Sequence, residues 1–281
     1  MSGTLYLVAT PIGNLEDISL RALRMLREAD LIAAEDTRHS LKLLAHFEIK
    51  KPLISYYEHN KRLREGELLD WLREGKTIAL ITAAGTPALS DPGADLAAAA
   101  LAAGLNVVAI PGASALLTAL AMSGLGGGPF CFEGFLPREK PRRRSRLAEL
   151  AGEQRLLVFY EAPHRLSALL ADMETVWGGG RQLVLCRELT KRHEELIRGS
   201  VAELRQRFAE QAPRGEFVVL ALGAPEPPRQ EPGQGELEAA LTDLLAQGLS
   251  RKAAARQLAQ VFDLRVKDVY DLGLSLDKKQ L

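Results

Sequence analysis

Two pairs of adjacent residues carry groups able to accept a proton near neutral pH: Glu35 with Asp36, and Glu58 with His59. Carboxylate and imidazole are common general bases, and Arg38, two positions beyond Asp36, supplies a cation to pair with one. Metal chemistry has no comparable signature. The 5 histidines show no ligand spacing, and His193-Glu194-Glu195 lacks the paired-histidine helical repeat of zinc proteases. A serine-nucleophile turn of the Gly-x-Ser-x-Gly type is absent, as is a Gly-x-Gly-x-x-Gly dinucleotide fingerprint. Gly75-Lys76-Thr77 has the ending of a phosphate loop, but Asp70 stands where its first glycine is required, and the triplet leads into an apolar run. The 2 cysteines, Cys131 and Cys186, form neither a disulfide framework nor a Cys-x-x-Cys site. A reducing compartment is expected. The N-terminal segment has no basic, long apolar signal pattern, so the cytoplasm is the predicted location.

The remaining chemistry lies in short segments rich in glycine, proline and small polar residues. They are Thr10-Pro-Ile-Gly-Asn14, Glu35-Asp-Thr-Arg38, Tyr57-Glu-His-Asn60, Ala84-Gly-Thr-Pro87 with Ser90-Asp-Pro-Gly93, and Pro111-Gly-Ala-Ser114. Each follows an apolar, β-branched run, at 5–9, 31–34, 53–56, 77–81 and 105–110. Near-continuous apolar runs are the mark of strands covered on both faces, hence of a largely parallel sheet. Helical periodicity fills the gaps. Ile18, Leu20, Leu23 and Leu26 share one face of a helix capped by Asp17 or Ser19, and Leu41, Leu43, Leu44, then Leu63, Leu68, Leu69 and Leu72 mark two more. In an open parallel sheet the carboxyl ends of the strands meet at the ligand crevice, so these loops should line one site. Any one of them is also ordinary turn punctuation; five on one edge point to a ligand.

An α/β domain at 1–123 is therefore predicted, followed by a hinge at Gly124-Leu-Gly-Gly-Gly-Pro129. A second α/β domain at 129–223 offers strands near 130–135, 155–160, 182–187, 195–198 and 216–222, and helices near 145–150, 165–175 and 201–210. That mixture predicts a mixed sheet. Residues 224–235 have four prolines and read as a linker to a helical region at 236–281. There Leu237, Leu241, Leu244 and Leu245 share a face, ahead of two shorter helices. This outline suits either a nucleic-acid-binding bundle or a packing appendage. The uncharged stretch 97–131 is broken by Gly104, Asn106 and Pro111-Gly112, too often for a membrane span of about 20 residues.

The 281 residues carry 36 Lys+Arg against 36 Asp+Glu, which excludes a polyelectrolyte binding through its whole surface. Against that neutral background Arg138, Lys140, Arg142, Arg143, Arg144 and Arg146 face a single Glu139. Such a run is either a phosphate grip for RNA or a solvated helix start.

The motifs Val8-Ala-Thr-Pro-Ile-Gly-Asn-Leu15, Ala33-Ala-Glu-Asp-Thr-Arg38, Ala84-Gly-Thr-Pro87, Ser90-Asp-Pro-Gly93, Phe132-Glu-Gly-Phe-Leu-Pro137, Phe159-Tyr-Glu-Ala-Pro-His-Arg165 and Arg187-Glu-Leu-Thr-Lys191 together resemble the ribosomal RNA small-subunit methyltransferase I family. The resemblance implies a two-domain tetrapyrrole-methylase fold with S-adenosylmethionine folded into the interdomain cleft. It further implies methyl transfer to the ribose 2′-hydroxyl of a cytidine in the decoding region of 16S rRNA, by a homodimer. By matching position it assigns cofactor contacts to Pro11, Ile12, Gly13, Thr86, Ser114 and Ala115, and from the second domain to Tyr160, Leu189 and Glu216.

Position 83 departs from the pattern, because Ala83 stands where the resemblance implies an acidic residue, expected at the cofactor. Transfer from a sulfonium gains most from positioning, with a base helpful but not obligatory. Glu35, Asp36, Glu58 and His59 are the candidates to take the hydroxyl proton or orient the ribose. Asp36 partnered by Arg38 is preferred, and Asp36 as a helix cap is its competing reading. Two further functions stay open at this point: a methyltransferase of tetrapyrroles or other small molecules, and an RNA-binding or ribosome-assembly protein with impaired cofactor binding.

Overall fold

A computed structural model describes residues 2–91, 93–225, 233–262 and 264–279, and the side chains of 276–279 are not described. Residues Met1–Ala224 form one compact unit and Pro225–Leu281 another. The first unit begins with five strands, β1 (Thr4–Val8), β2 (Leu31–Ala34), β3 (Leu53–Ser55), β4 (Ile78–Ile81) and β5 (Asn106–Ile110). They alternate with helices α1 (Leu20–Glu28), α2 (Thr37–His46), α3 (Lys61–Arg73), α4 (Gly93–Ala102) and α5 (Ala115–Ser123). Every pairing is parallel, in the order β3-β2-β4-β1-β5. The inner strands are buried on both faces, where Val8, Ile32 and Ile81 pack with Met25 and Leu26 of α1, while Leu5, Ile78 and Leu80 pack with Leu68, Leu72 and Leu96 of α3 and α4; the edge strands β3 and β5 are only partly covered.

The helices start where side-chain oxygens meet free amides. Ser19 caps α1, Asp36 caps α2 and Ser114 caps α5. Their buried faces differ in detail from the expected ones, because Leu20, Leu41 and Leu63 are exposed while Ala22, Met25, Leu43 and Leu44 turn inward. Leu20 is the first residue of its helix and precedes the turn that packs on the sheet.

The second sheet contains β6 (Phe130–Phe135), β7 (Leu156–Glu161), β8 (Gln182–Arg187), β9 (Glu195–Ser200) and β10 (Phe217–Ala221), in the order β6-β7-β10-β8-β9. Only β6 and β7 are parallel. Helices α6 (Lys140–Glu149), α7 (Pro163–Trp177) and α8 (Val201–Glu210) cover its outer face. The other face packs on α5, whose Leu116, Ala119 and Leu120 meet Val158, Cys186 and Val218. Helix α6 begins five residues ahead of its expected start, because Pro141 sits in the first turn, where its missing amide costs nothing.

In the second unit α9 (Gln234–Ala246), α10 (Arg251–Phe262) and α11 (Val266–Lys279) enclose Leu241, Ala254, Leu258 and Val269. Most of the proline-rich segment expected as a linker lies outside the described residues. Among the described residues no helix is long and apolar enough to cross a membrane.

Candidate functional site

The loops after β1, β4 and β5, at the carboxyl edge of the first sheet, converge on the inner face of the second and leave a cavity of 220 Å³, whereas the expected segments 35–38 and 57–60 contribute no residue to its lining. Ile12, Thr86, Ser114, Ala115, Tyr160, Leu189 and Glu216 line it, seven of the expected cofactor contacts. The loop after β1 is tied to the loop after β4 by two backbone bonds, Thr10 N to Gly85 O at 2.9 Å and Gly85 N to Thr10 O at 3.0 Å. Gly85 has a φ of 87°, a backbone state that favours glycine. Thr86 Oγ1 donates to Ala113 O at 3.1 Å, joining the loop after β4 to the loop after β5. From the second sheet, Tyr160 Oη accepts the Leu116 amide at 3.2 Å and its ring packs edge-on to Phe132 and Phe135.

A second cavity, of 360 Å³, shares Ile12, Ala84 and Glu216 with the first. Pro11, Gly13 and Ala83, expected at the cofactor, line this one. His39, Lys42 and Lys191 add basic groups to its wall. Lys191 Nζ is held by Glu188 at 3.0 Å and Glu216 at 2.8 Å. Four of the five non-glycine residues with positive φ among the described residues, Ala88, Ser90, Glu188 and Thr190, lie in the loops after β4 and β8. Backbone in such sparsely populated states concentrates around ligand sites.

The expected acid–base groups occupy different environments. Asp36 Oδ1 accepts the amides of Arg38 at 2.8 Å and His39 at 3.2 Å. The His39 amide bond leads the causes that hold its carboxyl below the usual value. Its carboxylate thus caps α2, the helix that carries His39 and Lys42 to the second cavity. Glu58 pairs with Lys61 at 2.9 Å in the turn after β3, and neither Glu58 nor His59 lines either cavity. Glu35 instead reaches the loop after β4, accepting the Thr82 hydroxyl at 2.5 Å and the Ala83 amide at 3.0 Å. Glu161, absent from the expected contacts, is a buried carboxylate on the first cavity, bonded to the Ala162 amide at 3.0 Å and 3.2 Å from Arg165. Burial pushes its carboxyl up. Phe135 and Glu161 end their strands and Cys186 and Val218 point inward from theirs, so the signal for them is strand alternation once the sheet's inner face is known.

The basic run divides in the structure. Arg138, Lys140 and Arg142 are exposed, as expected of a phosphate grip. Arg143 is not: it is 6% exposed, bonded to Asp172 at 2.6 Å and to the Arg138 carbonyl at 2.9 Å. Arg144 pairs with the same Asp172, and Arg146 pairs with Glu133 and Glu149. For Arg143 the expected RNA contact is therefore replaced by a buried ion pair. Among the described residues no group of three or more His, Cys, Asp or Glu could hold a metal ion.

Two α/β layers closing on a loop-lined cleft define a protein of the tetrapyrrole-methylase class. Residues 4–205 match the family described as Tetrapyrrole (Corrin/Porphyrin) Methylases. A solved structure of uroporphyrin-III C-methyl transferase from Thermus thermophilus, complexed with S-adenyl homocysteine, has a TM-score of 0.54 at 19% identity, covering 78% of this chain and 97% of its own. Within that class the sequence is more specific. The chain is 48% identical over 275 residues to ribosomal RNA small subunit methyltransferase I of Synechocystis sp., covering 98% of this chain and 99% of the relative. It is also 48% identical over 280 residues to the protein of the same name from Pseudomonas aeruginosa, covering 99% of each. The chain belongs to the ribosomal RNA small subunit methyltransferase I family.

Proposed function

We propose that the paired cavities work as donor and acceptor sites of one methyl transfer, and their shared wall of Ile12, Ala84 and Glu216 carries that reading. The protein is an S-adenosylmethionine-dependent methyltransferase of small-subunit ribosomal RNA, acting on the ribose 2′-hydroxyl of a cytidine in the decoding region of 16S rRNA. The first cavity suits the cofactor chemically. It joins an apolar wall, Ile12, Leu189 and Val218, to the polar atoms of Thr86, Ser114 and Tyr160 and to the buried Glu161. Bound there, S-adenosylmethionine supplies an electrophilic methyl group on a sulfonium.

The chain's own contribution is placement. The Thr10–Gly85 bridge fixes the loop between the cavities, and the Asp36 cap fixes the start of α2 beside the acceptor. Holding an oxygen in line with a reactive carbon removes orientational entropy from the barrier. Glu35, tethered to Thr82 and Ala83, orients the acceptor loop, while Lys42 supplies positive charge and His39 a hydrogen-bonding group for the target nucleotide's phosphates. Asp36, preferred from the sequence as a base partnered by Arg38, lines neither cavity and accepts the Arg38 backbone amide, so its part is to cap α2. Exposed Arg138, Lys140 and Arg142 hold RNA outside the acceptor site. We further assign the protein to the cytoplasm as a homodimer.

The test is methylation of small ribosomal subunits lacking this modification, with labelled S-adenosylmethionine, followed by mass spectrometry of the nucleosides. A 2′-O-methylated cytidine at a single decoding-region position is expected. Label on a base, or none on RNA but label on a tetrapyrrole, would overturn the assignment.

A further inference from the structure

The outer face of the second sheet carries a second basic pocket, unrelated to the run at 138–146. It measures 160 Å³ and is walled by Arg187, Arg207 and Arg214, with Glu195 between them and Ile197 and Phe208 behind. Register explains its construction. Arg187 ends β8 and stands directly across from Glu195, the first residue of β9. Arg207 comes from the last turn of α8, where a cation also complements the helix dipole. Arg214 sits on the loop into β10, which Arg187 fastens by donating from Nε to the Arg214 carbonyl at 2.7 Å.

The charges in this pocket do not balance. The two oxygens of Glu195 are used by Arg187 at 3.2 Å and Arg207 at 2.8 Å. The Arg214 guanidinium has no ion pair among the described residues, so the pocket holds three guanidinium groups against one carboxylate, which pairs with two of them. A purely structural network would be closer to neutral, since uncompensated like charges repel. Arg207 and Arg214 are both exposed, so an anion can reach them. Guanidinium groups arranged as forks around a small hollow match the geometry of a phosphate.

Position ties the pocket to the site. The strand pleat turns Cys186 into the first cavity and Arg187 into the basic pocket. The chain then returns at once to the first cavity through Leu189, and on the loop into β10 Arg214 precedes Glu216, which lines both cavities. We infer that this pocket binds a phosphodiester of the RNA strand, one or more nucleotides away from the methylated ribose. The inference rests on the proposed action on RNA and adds a second anchoring point on the opposite face of β8.

The experiment measures affinity for a decoding-region RNA as a function of salt. It compares wild type, the double variant Arg207→Ala with Arg214→Ala, and Glu195→Gln, with S-adenosylmethionine titration as the control for folding. Arg187 is left intact because it braces the loop. The double variant should bind RNA about tenfold more weakly, with the salt slope reduced by about 0.7 for each phosphate no longer neutralised. Glu195→Gln should bind more tightly, because it removes the carboxylate that competes with phosphate for the arginines. A brace without ligand would not give opposite signs in these variants. Unchanged RNA affinity in the double variant, or no gain in Glu195→Gln, overturns the pocket assignment while leaving the methyltransferase reading intact. Wild type that fails to bind RNA at all overturns the methyltransferase reading itself. Inorganic phosphate distinguishes the source of the anion: if it binds the wild type while the double variant keeps full RNA affinity, the pocket serves a free anion and the RNA assignment falls.

Discussion

The Glu35 carboxylate crosses from the end of β2 to accept the backbone amide of Ala83 at 3.0 Å. The amide at position 83 is therefore spoken for by a neighbouring strand, while Ala83 lines the second cavity. The acidic residue that the family resemblance implies at this position would line the second cavity, the proposed acceptor site. Ala83→Asp should accordingly change kcat or the KM for RNA. It should move cofactor affinity by less than about fivefold, since a unit charge acting across water-filled space is worth about 1 kcal/mol. Calorimetric titration of S-adenosylmethionine beside steady-state methylation checks this. A large change in cofactor affinity with unchanged RNA kinetics would place residue 83 on the donor side.

Asp172 anchors the middle of the basic run, at Arg143 and Arg144. It is 1% exposed and accepts Arg143 through Nη2 at 2.6 Å and Arg144 through Nε at 2.6 Å. Removing one partner of a buried pair strands the other, so Asp172→Ala should cost about 3–5 kcal/mol. Arg143→Glu should likewise be strongly destabilising, whereas Arg142→Glu should leave stability unchanged and weaken RNA binding. Urea unfolding of each variant decides between these outcomes.

The same pair sets a pH dependence. Burial alone would raise the Asp172 carboxyl, but hydrogen bonds from Arg144 and Arg143 outweigh it and hold the carboxyl below the ordinary 3.8. A depressed folded value means that the stabilisation is complete above 3.8 and is lost as pH falls through the folded value. The stability gap between wild type and Asp172→Asn should stay constant from neutral pH down to about 5 and then close on acidification. A gap that widens in acid would contradict the sign.

Much of this architecture is visible in the sequence because local and global signals agree. The apolar residues at 31–34 and 78–81 are uninterrupted and become fully buried inner strands. Ser19, Asp36 and Ser114 announce helix starts by residue type alone. The helix faces were less legible, since Leu20 and Ala22 differ in burial according to which turn touches the sheet, and that is a tertiary fact. The site was legible as a set of loops but not as two cavities. Gly13 and Ala83 share motifs with cofactor-lining residues, and which side of a thin wall each one faces depends on a twist no spacing records. The partition of the arginines is of the same kind: Arg142 and Arg143 are neighbours in sequence, and the helix turns one to solvent and the other onto Asp172.

Tyr160 links the two layers by accepting the Leu116 amide in the first turn of α5 at 3.2 Å. Tyr160→Phe keeps the contacts with Phe132 and Phe135 but leaves the Leu116 amide without its acceptor, a loss of about 1–3 kcal/mol. Thermal unfolding should shift down accordingly. Cofactor affinity should fall as well, because the ring and the helix start both line the first cavity; a variant with lowered melting temperature and intact affinity would make Tyr160 purely structural.

Gly13 tests whether the loop after β1 and the loop after β8 must touch. A Cβ at position 13 would lie 2.4 Å from Lys191 Cγ, 3.0 Å from Thr190 Oγ1 and 3.1 Å from the Leu189 carbonyl. Lys191 cannot simply swing away, because its Nζ is held by Glu188 and Glu216 and the clash falls near the root of its side chain. Relief requires the loop at 188–191 to withdraw, taking Leu189 out of the first cavity and Lys191 out of the second. Gly13→Ala should therefore lose about tenfold or more in cofactor affinity, equivalent to about 1.4 kcal/mol. The core beneath is untouched, so the melting temperature should barely move. Gly66 supplies the contrast: it lies in α3 with nothing within 4 Å of an added Cβ. Gly66→Ala should stabilise the protein by about 0.4–1 kcal/mol and leave cofactor binding alone. Equal cofactor affinity in Gly13→Ala and wild type would show that the two loops move independently, and that the shared wall between the cavities is not what positions the methyl donor.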